Sequence, residues 1–187
     1  MQHELVRSLV HKHIHTLEIP IRFEFMYHDY RGPSTIRITF ITSGHSRSKI
    51  GLRASHASAD DYTMRLNLTG DRNWNQHRIL HEFGHALGLE HQHQHPDSGI
   101  DWNLMKLRRR FKERSIQRSF LPKIERLRSV PYDRDSVMHY PIDKDVTYNL
   151  CRSIPLNIVL SEGDKKLLMS MYHRQPALTK ARPSVCD

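Results

Sequence analysis

An α+β fold is what this chain predicts, and three observations predict it. Helical apolar periodicity appears near the start, in the middle and near the end; short period-two stretches are confined to the residues before the central helix; and the last two helical patterns are separated by a basic segment without sustained period. The chain has 187 residues, of which 37% are hydrophobic. That length suits one domain with a sizeable core, and the apolar share is too high for a disordered chain. No run approaches the ~18 consecutive apolar residues of a membrane span, and the first residues lack the apolar region of a signal peptide.

The first element is an amphipathic helix over residues 3–18, where Leu5, Leu9, Val10, His13 and Leu17 recur at helical spacing and Pro20 stops it. Two strands follow, from Ile21 to Tyr27 and from Thr35 to Thr42, separated by the turn residues Arg31, Gly32 and Pro33. A third strand from Thr63 puts Met64, Leu66 and Leu68 on one face and Thr63, Arg65 and Asn67 on a half-exposed one. Between Asn75 and Leu87, apolar Ile79, Leu80, Phe83, Ala86 and Leu87 mark the second helix, and Gly88 suits the left-handed cap that ends it. After Pro96 the residues up to Val130 read as a long basic surface loop with short helical pieces, interrupted by Pro122. The last helix, Ser161 to Tyr172, begins with Ser161 as N-cap and Asp164 three residues on.

Chemistry concentrates in the second helix. His81, Glu82 and His85 form an HEFGH run, and a spacing of four brings both imidazoles to one face, one turn apart, where they can share a zinc. Glu82 projects beside them and can take a proton from a zinc-bound water of lowered pKa. The chain holds 15 histidines, however, and at that frequency the short motif arises by chance in roughly one such chain in twenty. Requiring Gly88 and His91 as well lowers the chance to roughly two in ten thousand. The extension has a mechanical reason. A helix continuing past Gly88 would aim His91 away from the shared face, whereas a glycine with positive φ breaks the helix and swings the chain back.

With His81, Glu82, His85, Gly88 and His91, the sequence resembles the metzincin zinc peptidases, whose HExxHxxGxxH pattern it matches in full. Met138, in a tract ending Ser-Val-Met-His-Tyr, matches the superfamily's methionine turn, and the tract is similar to that of the astacin family. The resemblance implies a zincin fold: a small, twisted, mostly parallel sheet with an antiparallel edge strand, two helices, and an irregular C-terminal lobe ending in a helix. It implies one catalytic domain over 1–187, with lobes of about 1–91 and 92–187 on either side of a substrate cleft. It also implies one catalytic Zn2+ held by His81, His85 and His91, Glu82 as general base, and Tyr140 both as an added zinc ligand and as donor to the reacting substrate. Met64, Arg65, Leu66 and Asn67 are the expected substrate-aligning edge strand.

Peptides or proteins are the implied partners and an extracellular setting the implied location, with no nucleic acid and no membrane span expected. Three departures stand out. Gln92 replaces the glutamate that follows the third histidine in many members, the usual cysteine pairs are missing, and the strand that normally precedes the first helix is absent. Cys151 and Cys186 allow one bridge, closing a loop of about 35 residues, or two free thiols.

Other readings compete. The net charge is +9, and Arg108, Arg109, Arg110, Lys112 and Arg114 fit a basic module binding nucleic acid or an anionic surface around a structural zinc. A catalytically inactive peptidase-like protein is the third reading. His93 and His95, followed by Pro96, Asp97, Ser98 and Gly99, read as part of a solvated turn, and His139 as a packing and hydrogen-bonding residue.

Overall fold

A computed structural model describes residues 1–26, 32, 34–121 and 124–173. Among them are five α-helices and one three-stranded sheet. In chain order they run α1 (Gln2–His13), β1 (Ile38–Ile41), β2 (Arg47–Ser48), β3 (Met64–Asn67), α2 (Arg72–Ala86), α3 (Leu104–Arg110), α4 (Glu113–Ser119) and α5 (Glu162–His173). The order across the sheet is β1-β3-β2, with β1 and β3 parallel and β2 antiparallel at the edge.

This topology corrects one expectation. Met64, Arg65, Leu66 and Asn67 form the central strand, paired on both sides, and the antiparallel edge is Arg47–Ser48. Alternating hydrophobicity reveals a strand's faces but says nothing about its neighbours, which explains the error. Met64, Leu66 and Leu68 are buried as expected, but so are Thr63 and Asn67, leaving Arg65 as the exposed residue of the other face. Residues 21–26 are not a strand; Ile21, Phe23 and Phe25 pack against the core without ladder pairing. Tyr27, the Arg31 and Pro33 ends of the expected turn, Pro122 and Cys186 lie outside the described residues. Cys151 is exposed.

The main core joins α1 (Val6, Leu9, Val10), β3 (Met64, Leu66), α2 (Ile79, Leu80, Phe83), α5 (Leu168) and the turn residues Val137 and Met138. A second cluster, from Ile100, Trp102, Leu107, Ile116, Ile142, Val146 and Ile154, draws in residues of the part expected to be a surface loop. Leu107 and Ile116 are single inward residues of α3 and α4, helices of seven residues each. Helices that short present too few apolar positions to establish a period, so the segment reads as irregular.

The central helix has clear ends. The Asp71 carboxylate accepts from the Trp74 N–H at 2.9 Å, satisfying one free donor of the first turn. At the other end Gly88 has φ +98°. The Gly88 N–H reaches the His85 carbonyl at 2.8 Å, and the Leu89 N–H reaches the Gly84 carbonyl at 2.9 Å. This paired C-terminal cap turns the chain sharply out of the helix.

In α5 the cap is reciprocal. The Asp164 N–H donates to Ser161 Oγ at 2.9 Å, and the Ser161 N–H to Asp164 Oδ2 at 3.0 Å. Asp164 also accepts from the Ser136 hydroxyl at 2.6 Å and from the Val137 N–H at 2.9 Å. One buried carboxylate therefore joins the last helix to the methionine turn.

Gly88→Ala places a Cβ on a left-handed backbone and brings it to 2.9 Å from Met171 Cε. A stability loss of at least about 1–2 kcal/mol is expected from the backbone strain, measured as a lowered urea midpoint with an unchanged slope.

Candidate metal and peptidase site

Three imidazoles converge at the end of α2. His81 and His85 sit one turn apart on its buried face, and the turn at Gly88 brings His91 back over them. The His91 Nε2 lies 3.1 Å from His81 Nε2 and 3.0 Å from His85 Nε2. All three ligand atoms fall within 4.8 Å of one another, the only such group among the described residues.

The opposite ring nitrogens explain the orientation. His81 Nδ1–H donates to the Val137 carbonyl at 2.9 Å, and His85 Nδ1–H donates to the Leu89 carbonyl at 2.9 Å. Carbonyls only accept, so both protons sit on Nδ1 and both Nε2 lone pairs are bare. His91 Nδ1 faces Gln94 Oε1 at 3.2 Å, which places its proton there too. Gln94 is itself held, its amide donating to the Arg118 carbonyl at 3.3 Å.

The bare lone pair of His91 at hydrogen-bond distance from those of His81 and His85 is repelled by both unless a cation lies between them. Protonation does not supply one easily: burial pushes His85 down to about 4, and burial with the neighbouring imidazoles holds His81 and His91 well below the ordinary range. Nitrogens around a tetrahedral zinc at ~2.0–2.1 Å stand ~3.3–3.4 Å apart. The two separations from His91 reach that spacing if its ring shifts by a few tenths of an ångström, so the donor set fits zinc.

Glu82 lies in the same turn of helix and is 4% exposed. Its Oε2 has no hydrogen-bond partner among the described residues, while the Ser48 N–H of the edge strand donates to the carboxylate. Burial pushes the Glu82 carboxyl up to about 8. A divalent ion at the Nε2 cluster acts in the opposite direction, favouring the carboxylate.

Tyr140 closes another side, its ring 4.7 Å from that of His91 and 5.7 Å from that of His81. Burial, followed by the charge of Glu82, pushes its phenol up to about 12, so it remains a hydrogen-bond donor. Beneath the helix, Met138 packs so tightly that a Cβ on Gly84 would meet its Sδ at 2.5 Å.

The solvated turn expected around His93 and His95 is not there. Both are fully buried. His93 Nε2–H donates to the Ser119 carbonyl at 2.6 Å, and His95 Nε2–H points at the Leu127 and Val130 carbonyls, each at 2.9 Å. Proline and small polar residues after them make the tract look exposed, but α4 and the segment after it fold over it. His139 is buried and hydrogen-bonded as expected, to the Tyr140 carbonyl at 2.7 Å and to the Tyr132 hydroxyl at 3.0 Å. Within the basic tract, Arg108 pairs with Glu113 at 2.9 Å and Arg110 with Asp143 at 3.0 Å, so part of that charge is answered inside the chain. Gln94 and Ser48 were not predicted. Gln94 follows the third histidine at a spacing that fits a short turn, whereas nothing in the sequence marks Ser48.

The helix, the glycine turn, the three imidazoles and the methionine below them are arranged as the resemblance to the metzincin zinc peptidases implies. Residues 70–148 match the model of the Astacin peptidase family. Among solved structures, one of myroilysin is 26% identical with a TM-score of 0.78, over 94% of this chain and 88% of that one. A second myroilysin structure is 28% identical with a TM-score of 0.63, over 91% and 79% of the two chains. High choriolytic enzyme 1, a hatching enzyme zinc-protease from the medaka fish Oryzias latipes, is alike in fold alone, at 19% identity and a TM-score of 0.59 over 93% and 84%. No curated protein sequence matches. The chain thus resembles the astacin metallopeptidases, in sequence over residues 70–148 and in fold over most of its length.

One equivalent of zinc is expected to raise the unfolding temperature of the chain but not of His85→Ala. Gln94→Ala removes the acceptor that orients His91 and is expected to weaken zinc binding by ~10- to 100-fold, read by competition with a chromophoric chelator.

Proposed function

We propose that the chain is a zinc-dependent metalloendopeptidase in which His81, His85 and His91 would hold the metal, with the Tyr140 oxygen as a further ligand at rest. The observation that carries this reading is the placement of a buried, half-partnered carboxylate, Glu82, beside three converging bare Nε2 atoms. Zinc, when bound there, lowers the pKa of a coordinated water toward ~7 and draws charge from a carbonyl oxygen.

Glu82 accepts a proton from the water as its oxygen attacks the peptide carbonyl carbon, then hands that proton to the leaving amine nitrogen. The Tyr140 phenol donates to the oxygen on which charge develops. Among the described residues β2 is at the edge of the sheet beside Glu82, where an extended peptide can align next to the Ser48 and Glu82 pair. That role replaces the one expected of Met64 to Asn67. No described helix is long and apolar enough to cross a membrane, and an extracellular setting follows from the same family reading.

Glu82→Gln keeps the size of the side chain but removes the base. It is expected to abolish cleavage of an unfolded protein substrate while retaining one zinc, and a chelator is expected to silence the wild-type chain reversibly. Full activity in Glu82→Gln, or cleavage insensitive to the chelator, would contradict the proposal. Tyr140→Phe is expected to lower kcat by ~10²-fold with little change in KM, the size of effect seen for the loss of one oxyanion donor.

A further inference from the structure

The phenol of Tyr140 needs to reach the reacting oxygen and still be free to leave the metal, so its orientation has to be set by neighbours that are not ligands. Its main chain is held by His139, whose Nδ1–H donates to the Tyr140 carbonyl at 2.7 Å. Its ring rests on another histidine. The imidazole of His93 lies nearly parallel to the phenol ring, 21° between planes and 4.2 Å between centroids. That is nearer and more nearly parallel than the Tyr140 contacts with His91 (59°, 4.7 Å) or His81 (35°, 5.7 Å).

His93 is itself fixed. It is fully buried, its Nε2–H is anchored to the Ser119 carbonyl at the end of α4, and the short helical turn that carries it, Gln92–Gln94, is tied to the methionine turn by the Gln92 N–H to Met138 carbonyl bond at 3.1 Å. The His93 ring is therefore a fixed floor under the phenol.

We propose that His93 is a positioning residue for Tyr140: its stacked imidazole confines the phenol to motion in the plane of the stack, so that the hydroxyl travels between the metal and the substrate oxygen without tilting away. The inference rests on the reading of Tyr140 as oxyanion donor, and its physical content is an aromatic contact. A stacked ring pair tolerates sliding at nearly constant separation, whereas tilting the phenol away from the fully buried His93 ring gives up their van der Waals contact. Truncating His93 to alanine removes that contact and lets the phenol adopt unproductive rotamers. Phenylalanine at 93 restores the stack but not the bond to Ser119.

Kinetics in two backgrounds separates this role from a merely structural one. His93→Ala is expected to lower kcat by ~3- to 10-fold, with KM and chelator-competed zinc affinity unchanged within about twofold, and His93→Phe to recover most of the loss. In Tyr140→Phe, whose ring can no longer donate, His93→Ala should change kcat by less than about twofold, because the two residues act as one unit. Equal losses in both backgrounds, or a loss of kcat matched by a loss of zinc affinity through His91, would overturn the proposal.

A structural readout decides the point even if Tyr140→Phe proves fully active and the donor reading fails. In the zinc-loaded chain with labelled tyrosine, NMR cross-relaxation between the Tyr140 and His91 rings should be present in the wild type and in His93→Phe and lost in His93→Ala. Its persistence in His93→Ala refutes the positioning role whatever the kinetics.

Discussion

Everything at this site depends on one kind of bond, a buried imidazole donating to a main-chain carbonyl. Segments with little regular structure leave many carbonyls without ladder or helix partners, and a buried one left unsatisfied costs ~1–3 kcal/mol. Histidine answers the need repeatedly here. His77 reaches the Asn157 carbonyl, His81 that of Val137, His85 that of Leu89, His93 that of Ser119, His95 those of Leu127 and Val130, and His139 that of Tyr140. For His81 and His85 the same bond has a second effect. It commits the proton to Nδ1 and turns a bare Nε2 toward a common point, with His91 and Gln94 completing the set.

The point is fixed by residues far apart in sequence. The Val137 carbonyl that orients His81 belongs to a turn whose N–H groups are held by Asp164 and by Ser136 Oγ, and Asp164 is at the start of the last helix. The Leu89 carbonyl that orients His85 is presented by the cap at Gly88, against which α5 also packs through the Tyr172 hydroxyl bond to the Leu87 carbonyl at 2.9 Å. Gly84 lets Met138 approach the helix from below. The three-histidine cluster is thus held by packing from the first core cluster on one side, while Tyr140 faces the second cluster on the other. Burial on both sides is what raises the Glu82 carboxyl and depresses the imidazoles.

How much of this can be read from the sequence follows from the range of each interaction. The α2 pattern, the Gly88 cap and the three-histidine spacing are local, and each carries its own signature. Sheet order is not local: nothing in the β3 pattern distinguishes a central strand from an edge, and the two-residue strand Arg47–Ser48 is too short to show any alternation. The buried histidines are hidden for a related reason. His93 and His95 are followed by turn-forming residues, and only the folding of α4 and the 125–129 turn across them removes them from water. Asp164 is legible as a capping residue, but its bonds to Ser136 and Val137 span 28 and 27 positions of chain. Composition points to histidine as the unusual residue without distinguishing ligands from carbonyl clamps; only geometry separates them.

Nδ1–H bonds to fixed acceptors aim the three bare Nε2 atoms at one point where a cation would sit. Nitrogen-edited NMR of the histidine rings in the zinc-loaded chain tests this arrangement most directly, because it reports which nitrogen of each imidazole carries the proton and which binds metal. Protonated Nδ1 and metal-shifted Nε2 are expected for His81, His85 and His91. A protonated Nε2 on His81 or His85 with zinc present, or zinc shifts on a different set of histidines, would contradict this arrangement.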